Sequence, residues 1–347
     1  MTKLQKFYKG KKIFITGNTG FLGSWLSNML IYCGADVYGY SLKPNSNPNM
    51  FNSTSLNKKN KTFFGDIRNA QNLKEEVKKF KPEIIFHLAA QPLIKIGYKL
   101  PKYTFETNVI GTANILDAIR STKSVKAAVI VTTDKVYADK GPIKYNETDK
   151  LGGYDPYSAS KAATEILVES YNRSFLNNCN IASARPGNCI AGGDWSPYRI
   201  VPDIVASIFN KKQLNIRNPN YIRPWQHAIE PMYGLMLLGY NLFNNNKYSG
   251  AWNFGPPDSS YVTVKKLITL MSNNLGPIKY HIQYEDMHET SVLKLDSSKA
   301  KLMLGWVPKF TIKKTIRLTT DWYTAFYKKQ NMFKLTQSQI ASYFNLP

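Results

Sequence analysis

An acid and an amine stand side by side at Asp134 and Lys135, inside the run Thr132-Thr133-Asp134-Lys135-Val136-Tyr137. Further along, Tyr157 and Lys161 are separated by four positions in Tyr157-Ser158-Ala159-Ser160-Lys161. That spacing puts a phenol and an ammonium on one face of a helix, where the cation favours loss of the phenolic proton. The pair is enough to take a proton from a hydroxyl while hydride leaves the same carbon. Asp134 and Lys135 are surplus to that task. An extra acid and an extra amine point to proton chemistry coupled to redox chemistry.

The elements that must position these groups are local and readable. The apolar run Val129-Ile130-Val131 reads as a buried strand delivering the first cluster. Near the N-terminus, the β-rich run Lys12 to Thr16 leads into Gly17-Asn18-Thr19-Gly20-Phe21-Leu22-Gly23, and Ser24 to Tyr32 then reads as an amphipathic helix closed by Cys33-Gly34. Strand, glycine turn and helix in that order are the context a dinucleotide fingerprint requires. Gly17 permits the tight turn, Gly20 lets backbone approach a pyrophosphate, and Gly23 lets helix and strand pack closely. The helix N-terminus then faces the anion. The next strand, Asp36 to Tyr40, ends in Ser41-Leu42-Lys43, without an acidic residue to hold a ribose 2′-hydroxyl. NAD and NADP are therefore both open on this reading.

Bulk properties limit the alternatives. The 347 residues suffice for one large domain or two closely packed ones, with 43% hydrophobic and 13% aromatic residues to build a core. No apolar run approaches the roughly 20 residues of a membrane span, and the lysine-rich start lacks the apolar core of a signal peptide. Cys33, Cys179 and Cys189 are odd in number and unpatterned, which suggests reduced thiols and a cytoplasmic setting. The four histidines are too scattered for a metal site. The net charge of +23 is spread along the chain in short lysine pairs, a compositional bias and not a nucleic-acid-binding stripe.

The G-x-x-G-x-x-G spacing, with Gly65-Asp66-Ile67, His87-Leu88-Ala89-Ala90-Gln91 and Thr107-Asn108-Val109-Ile110-Gly111-Thr112 following in order, resembles the extended short-chain dehydrogenase/reductase superfamily. Within it, Thr-Asp-Lys at 133–135 resembles the CDP-glucose 4,6-dehydratases, where the dTDP-glucose 4,6-dehydratases carry Thr-Asp-Glu. Ala184-Arg185-Pro186-Gly187-Asn188, Gly192-Gly193-Asp194-Trp195, Ile222-Arg223-Pro224-Trp225-Gln226-His227 and Ala251-Trp252-Asn253-Phe254-Gly255-Pro256 agree, so the resemblance runs over roughly residues 10–325.

The resemblance implies an NAD-dependent enzyme that removes water from a nucleotide sugar, CDP-glucose being the expected substrate. It places the cofactor against Gly17, Gly20, Phe21, Leu22, Gly23, Asp66, Ile67, Leu88, Ala89, Ala90, Asn108, Tyr157 and Lys161. Asp66 would bind the adenine amine and Lys161 the nicotinamide ribose. Tyr157 would take the sugar C4 hydroxyl proton, Thr133 would bind the C4 oxygen, and Asp134, kept neutral by burial, would protonate the departing C6 hydroxyl. Two roles stay open for Lys135: base at C5, or support for Asp134 and an enolate oxygen. Gln91, Arg185, Asn188, Arg223 and Asn253 would contact the substrate. His227, Trp195 and Trp225 are candidates that fit the core equally well.

The expected architecture is α/β: a Rossmann-like doubly wound parallel sheet with a smaller α/β substrate-binding lobe. The dinucleotide-binding domain covers 1–185, with 221–255 returning to it. The nucleotide-sugar lobe comes from 186–220 and 256–325, and 326–347 is a C-terminal extension. A homodimer through helices of the first domain is usual in the superfamily. The competing readings are a 4,6-dehydratase of another nucleotide sugar, a 4-epimerase, and a non-catalytic NAD- or nucleic-acid-binding protein; Asp134-Lys135 opposes the epimerase, and the intact Tyr157 and Lys161 oppose the non-catalytic protein.

Overall fold

Short apolar runs, rich in β-branched and aromatic residues, form seven strands: β1 Lys12–Thr16, β2 Asp36–Ser41, β3 Lys61–Phe64, β4 Ile84–His87, β5 Ala127–Val131, β6 Asn180–Pro186 and β7 Gly250–Phe254. In this computed structural model, which describes residues 1–175, 179–283 and 290–346, they make one parallel sheet in the order β7-β6-β5-β4-β1-β2-β3. Both faces are covered, so the strands read as continuous apolar runs. Ile13, Ile15, Phe86, Val129 and Ala182 point to one face, and Phe14, Ile85, Ile130 and Ile181 to the other.

Helices α1 Phe21–Tyr32, α2 Ala70–Phe80, α3 Gly111–Arg120 and α4 Pro156–Ser174 follow the strands in the way short parallel connections require. Trp25, Leu26 and Met29 of α1 cover the first face; Leu73 of α2, Ile115 of α3 and Val168 of α4 cover the second. The direction of strand order reverses between β1 and β4. That switch point opens a crevice at the C-terminal strand ends, where ligands of such sheets bind. Beyond it come α5 Ile200–Phe209, α6 Ile229–Asn244 and α7 Val264–Leu275, with Ile222–Pro224 pairing antiparallel to Tyr261–Thr263. Helix α6 packs back under β5 and β6, whereas α5 and α7 face the crevice. Of the expected second lobe, residues 284–289 lie outside the described residues.

The C-terminal segment packs into the fold. Helix α8 Ile312–Tyr327 leads to α9 Met332–Phe344, which packs on α1 and α8 with Ile340 and Tyr343 fully buried. Tyr343 donates to Glu230 Oε2 at 2.6 Å, and Glu230 Oε1 accepts from the Lys309 and Phe310 amides at 2.8 and 2.6 Å. Burial lifts the Glu230 carboxyl to about 7 despite these donors. Tyr343→Phe, which removes one donor, should lower stability to urea by about 1–2 kcal/mol. Tyr343→Ala should lower it by about 3–5 kcal/mol, where an appendage would show neither loss.

Candidate active site

Strand β5 ends at Val131, and the chain turns at once into a single helical turn, Asp134–Val136. Thr133 caps that turn in extended conformation and donates to Asp134 Oδ1 at 3.0 Å. The other oxygen, Oδ2, is buried with no hydrogen-bond partner among the described residues. Desolvation raises the Asp134 carboxyl to about 6, against the pull of Lys135, Thr133 and Arg223. That is the direction a general acid requires.

Helix α4 brings the phenol to the same place. Asp155 caps its N-terminus, accepting from the Ser158 amide at 3.0 Å and from its hydroxyl at 2.6 Å, and Pro156 takes the first helical position. Tyr157 is thereby fixed in the first turn, and Lys161 follows one turn on, its Nζ donating to the Val131 carbonyl at 2.9 Å. Burial lowers Lys161 to about 8, partly offset by Glu165. Tyr157 departs from expectation. Burial pushes it up to about 12, and the groups that pull it back are Thr133 and Arg199, not Lys161.

Beneath the turn lies a polar bolt. Glu165, one turn after Lys161, accepts from Thr132 Oγ1 and Ser183 Oγ and pairs with Arg185 at 2.8 Å, both side chains only 4% exposed. Arg185 also donates to the Tyr137 hydroxyl at 2.9 Å, and Tyr137 in turn donates to Asn253 Oδ1 at 2.6 Å. Asn253 spends its amide on the carbonyls of Tyr145 and Asp296. Arg185 and Asn253 were expected at the substrate. In this structure both are buried in pairs that hold 132–137 against α4, β6 and β7. Gln91 is likewise engaged within its own loop. Its amide donates to Thr104 and to the Leu93 carbonyl, and its Oε1 accepts from the Leu93 amide, so it shapes the loop after β4.

The crevice forms a cavity of about 340 Å³. Among its lining are Thr133, Asp134, Lys135, Tyr157, Lys161, Leu22, Leu88, Ala90, Asn188 and Arg223, so ten expected residues meet there. Trp225 also lines it, whereas Trp195 packs on Trp322, Tyr323 and Phe326, and His227 is buried against Trp25 and Phe310. Arg199, Lys95, Asp203 and Arg217 line it too and were not singled out. Arg199 is a lone arginine in a proline- and tyrosine-bearing loop, a pattern shared by any solvated surface charge.

The residues around the glycine turn fit a dinucleotide such as NAD. Gly17 has φ +76°, and a Cβ there would sit 2.6 Å from the Ala89 nitrogen. A Cβ on Gly23 would collide with the Gly17 carbonyl oxygen, so the third glycine packs on the turn itself. Gly20 caps α1 without a side chain, leaving the helix N-terminus with no side-chain acceptor. Phe21 and Leu22 begin that helix. Ile67 packs against Gly111, and Asn108 bonds both backbone groups of Gln91 and the Ser160 hydroxyl, so these two shape the loop walls. Asp66 is forked by Arg68 at 2.6 and 3.0 Å, which holds its carboxyl below the usual range. In this structure the carboxylate expected at the adenine amine is engaged by its own turn.

Residues 14–319 match the family described as GDP-mannose 4,6 dehydratase. The chain belongs to that family. A CDP-glucose 4,6-dehydratase of Salmonella typhimurium is 39% identical over 98% of both chains. A CDP-paratose 2-epimerase of Salmonella typhi is 29% identical over 90% of this chain and 98% of its own length. Among solved structures, a dTDP-glucose 4,6-dehydratase of Streptomyces venezuelae, with NAD and DAU bound, superposes with a TM-score of 0.81 at 22% identity, covering 93% of this chain and 99% of that one. Membership in the dehydratase family agrees with the acid of the Thr-Asp-Lys turn standing beside the phenol. Among the described residues no cluster could hold a metal ion, and no helix is long and apolar enough to cross a membrane.

Two outcomes test this geometry. A carboxyl raised by burial contributes stability below its unfolded value of about 3.9 and loses it as pH climbs through the folded value. Asp134→Asn should therefore melt higher than wild type at pH 8, the difference shrinking toward pH 4. Gly23→Ala should purify with little bound nucleotide and show weakened NAD binding by calorimetry, while its circular dichroism stays near wild type.

Proposed function

We propose that the chain is a nucleotide-sugar 4,6-dehydratase that uses NAD and converts CDP-glucose to CDP-4-keto-6-deoxyglucose and water. One observation carries this reading: a buried, half-satisfied carboxyl, Asp134, stands beside Thr133 and Tyr157 in one cleft. Epimerisation at C4 needs a proton relay at a single oxygen. Elimination needs a second acid for the departing hydroxyl, and Asp134 is in place to be it.

Thr133 steadies the C4 oxygen, and Tyr157 takes its proton; Thr133 and Arg199 oppose the burial that otherwise keeps the phenol neutral. NAD, held along the glycine turn near Leu22, Leu88 and Ala90, supplies a two-electron acceptor that is restored at the end of the cycle. Once C4 is a ketone, the C5 proton is acidic. Lys135 removes it while neutral Asp134 protonates the C6 hydroxyl, which leaves as water. Lys161, one turn after Tyr157, is fixed by the Val131 carbonyl and brings an amine to that wall of the cleft. Arg223, Arg199 and Asn188 supply donors for a diphosphate. The 39% identity to a CDP-glucose enzyme supports the choice of base.

Incubated with CDP-, dTDP-, UDP- and GDP-glucose, the purified protein should remove one water from CDP-glucose in preference to the others, read by mass spectrometry. Loss of water from another of them would keep the chemistry and replace the substrate. Asp134→Asn should lower kcat by roughly 100- to 10,000-fold while the first, oxidative half-reaction persists as a transient rise in reduced-nicotinamide absorbance. Lys135→Ala and Lys135→Arg should both abolish solvent exchange at C5; exchange surviving in the arginine variant would leave lysine only a charge to contribute.

A homodimer belongs to the same reading. Phe105, Ile110 and Ile166 are exposed on α4 and on the segments packed against it. Ile166→Glu should turn a dimer into a monomer in light scattering.

A further inference from the structure

The cavity has two ends of different character. Tyr157, Thr133 and Asp134 line only the main cavity, whereas Lys95, Tyr198, Asp203, Asn215 and Arg217 line both it and an adjoining hollow of about 260 Å³. The shared residues therefore mark the end away from the chemistry. A nucleotide sugar is linear: sugar, diphosphate, ribose, base. With its sugar at Tyr157 and its diphosphate among Arg223, Arg199 and Asn188, its base falls at the shared end.

Cations would be expected throughout a site for a dianion, and this end supplies Lys95, Arg217 and Lys212. One carboxylate among them is out of place for phosphate. Asp203 stands in the first turn of α5, between the buried Val201, Pro202 and Ile204, and its carboxyl accepts no hydrogen bond from the described residues. Burial lifts it to about 6, with Arg217 and Lys95 pulling the other way. A partly buried carboxylate with open acceptors gains by meeting a donor.

Resting on the substrate reading above, we propose that Asp203 reads the nucleobase, accepting from the exocyclic amine of cytosine and rejecting uracil and thymine. The Watson–Crick edge of cytosine presents an amine donor where uracil and thymine present a carbonyl oxygen. A carboxylate bonds the first and repels the second. Arg217, at the same end, is a fixed donor. It suits the unprotonated ring nitrogen and carbonyl of cytosine and opposes the ring N–H of uracil. The pair thus matches a donor–acceptor pattern and not merely a charge.

The test is kcat/KM for water loss from CDP-, UDP- and dTDP-glucose in wild type, Asp203→Asn and Asp203→Ala, with calorimetric binding of CDP and UDP alone. Both variants keep Tyr157, Thr133 and Asp134, so kcat on CDP-glucose should hold while KM rises, since a base contact binds ground and transition states alike. The CDP-to-UDP preference should fall at least about tenfold, and the CDP-to-UDP affinity ratio should fall with it. A rise of similar size on all three substrates would mean that only a negative charge near the diphosphate had been removed, and it overturns the proposal. So does an unchanged preference. Failure of the substrate reading is seen separately, in wild type: a protein that does not favour CDP-glucose to begin with rejects both.

Discussion

Burial of a carboxylic acid at the end of a central parallel strand is the constraint on which the site depends. Asp134 is 2% exposed and only half satisfied, and such a group costs free energy in its charged form. In the proposed reaction that cost has a use: desolvation raises the share of the carboxyl that is protonated near neutrality and so able to protonate a leaving hydroxyl. The turn that carries it must then be held from outside. Thr132 is tied to Glu165, Glu165 to Arg185, Arg185 to Tyr137, and Tyr137 to Asn253. The bolt joins β6, β7 and α4 to the reacting segment, so that the turn carrying Asp134 is held by buried hydrogen-bonded pairs close by.

The same logic explains why the two ends of the crevice differ. At the strand ends the groups are desolvated and few, with Tyr157 pushed up and Lys161 pushed down by the same burial. Toward α5 the lining becomes cationic, with Arg199, Arg217 and Lys95. A hydroxyl-bearing ring suits the first environment, and the nucleotide part of a nucleotide sugar, diphosphate and base, suits the second. The proposed substrate orientation thus agrees with the change of lining along the cleft.

How much of this was legible beforehand divides by distance along the chain. The strand, glycine turn and α1 form within 21 residues, Lys12 to Tyr32, so their local pattern settles them. The acid, phenol and lysine also declared themselves, because each sits in a short segment at fixed spacing. Arg185 and Asn253 did not. A polar residue at a strand end can face a cleft or close a bond behind it, and the choice rests on Glu165 and Tyr137, 20 and 116 positions away. Asp66 is a different case: Arg68 is a near neighbour, but which partner a carboxylate takes is not a matter of spacing. The tail carried a readable signal after all: Met332, Thr336, Ile340 and Tyr343 recur at helical spacing and are all buried. Arg199 and Asp203 gave none, since single charges near a helix start read as solvated.

In the proposed reaction hydride leaves and re-enters one sugar. The most direct measurement uses CDP-glucose carrying deuterium at C4, converted in unlabelled water, with the product's label located by mass spectrometry and NMR. The deuterium should be retained and found at C6, with a solvent proton at C5. Deuterium lost to solvent, or recovered at C4 of an unaltered or epimerised sugar, would contradict that reaction.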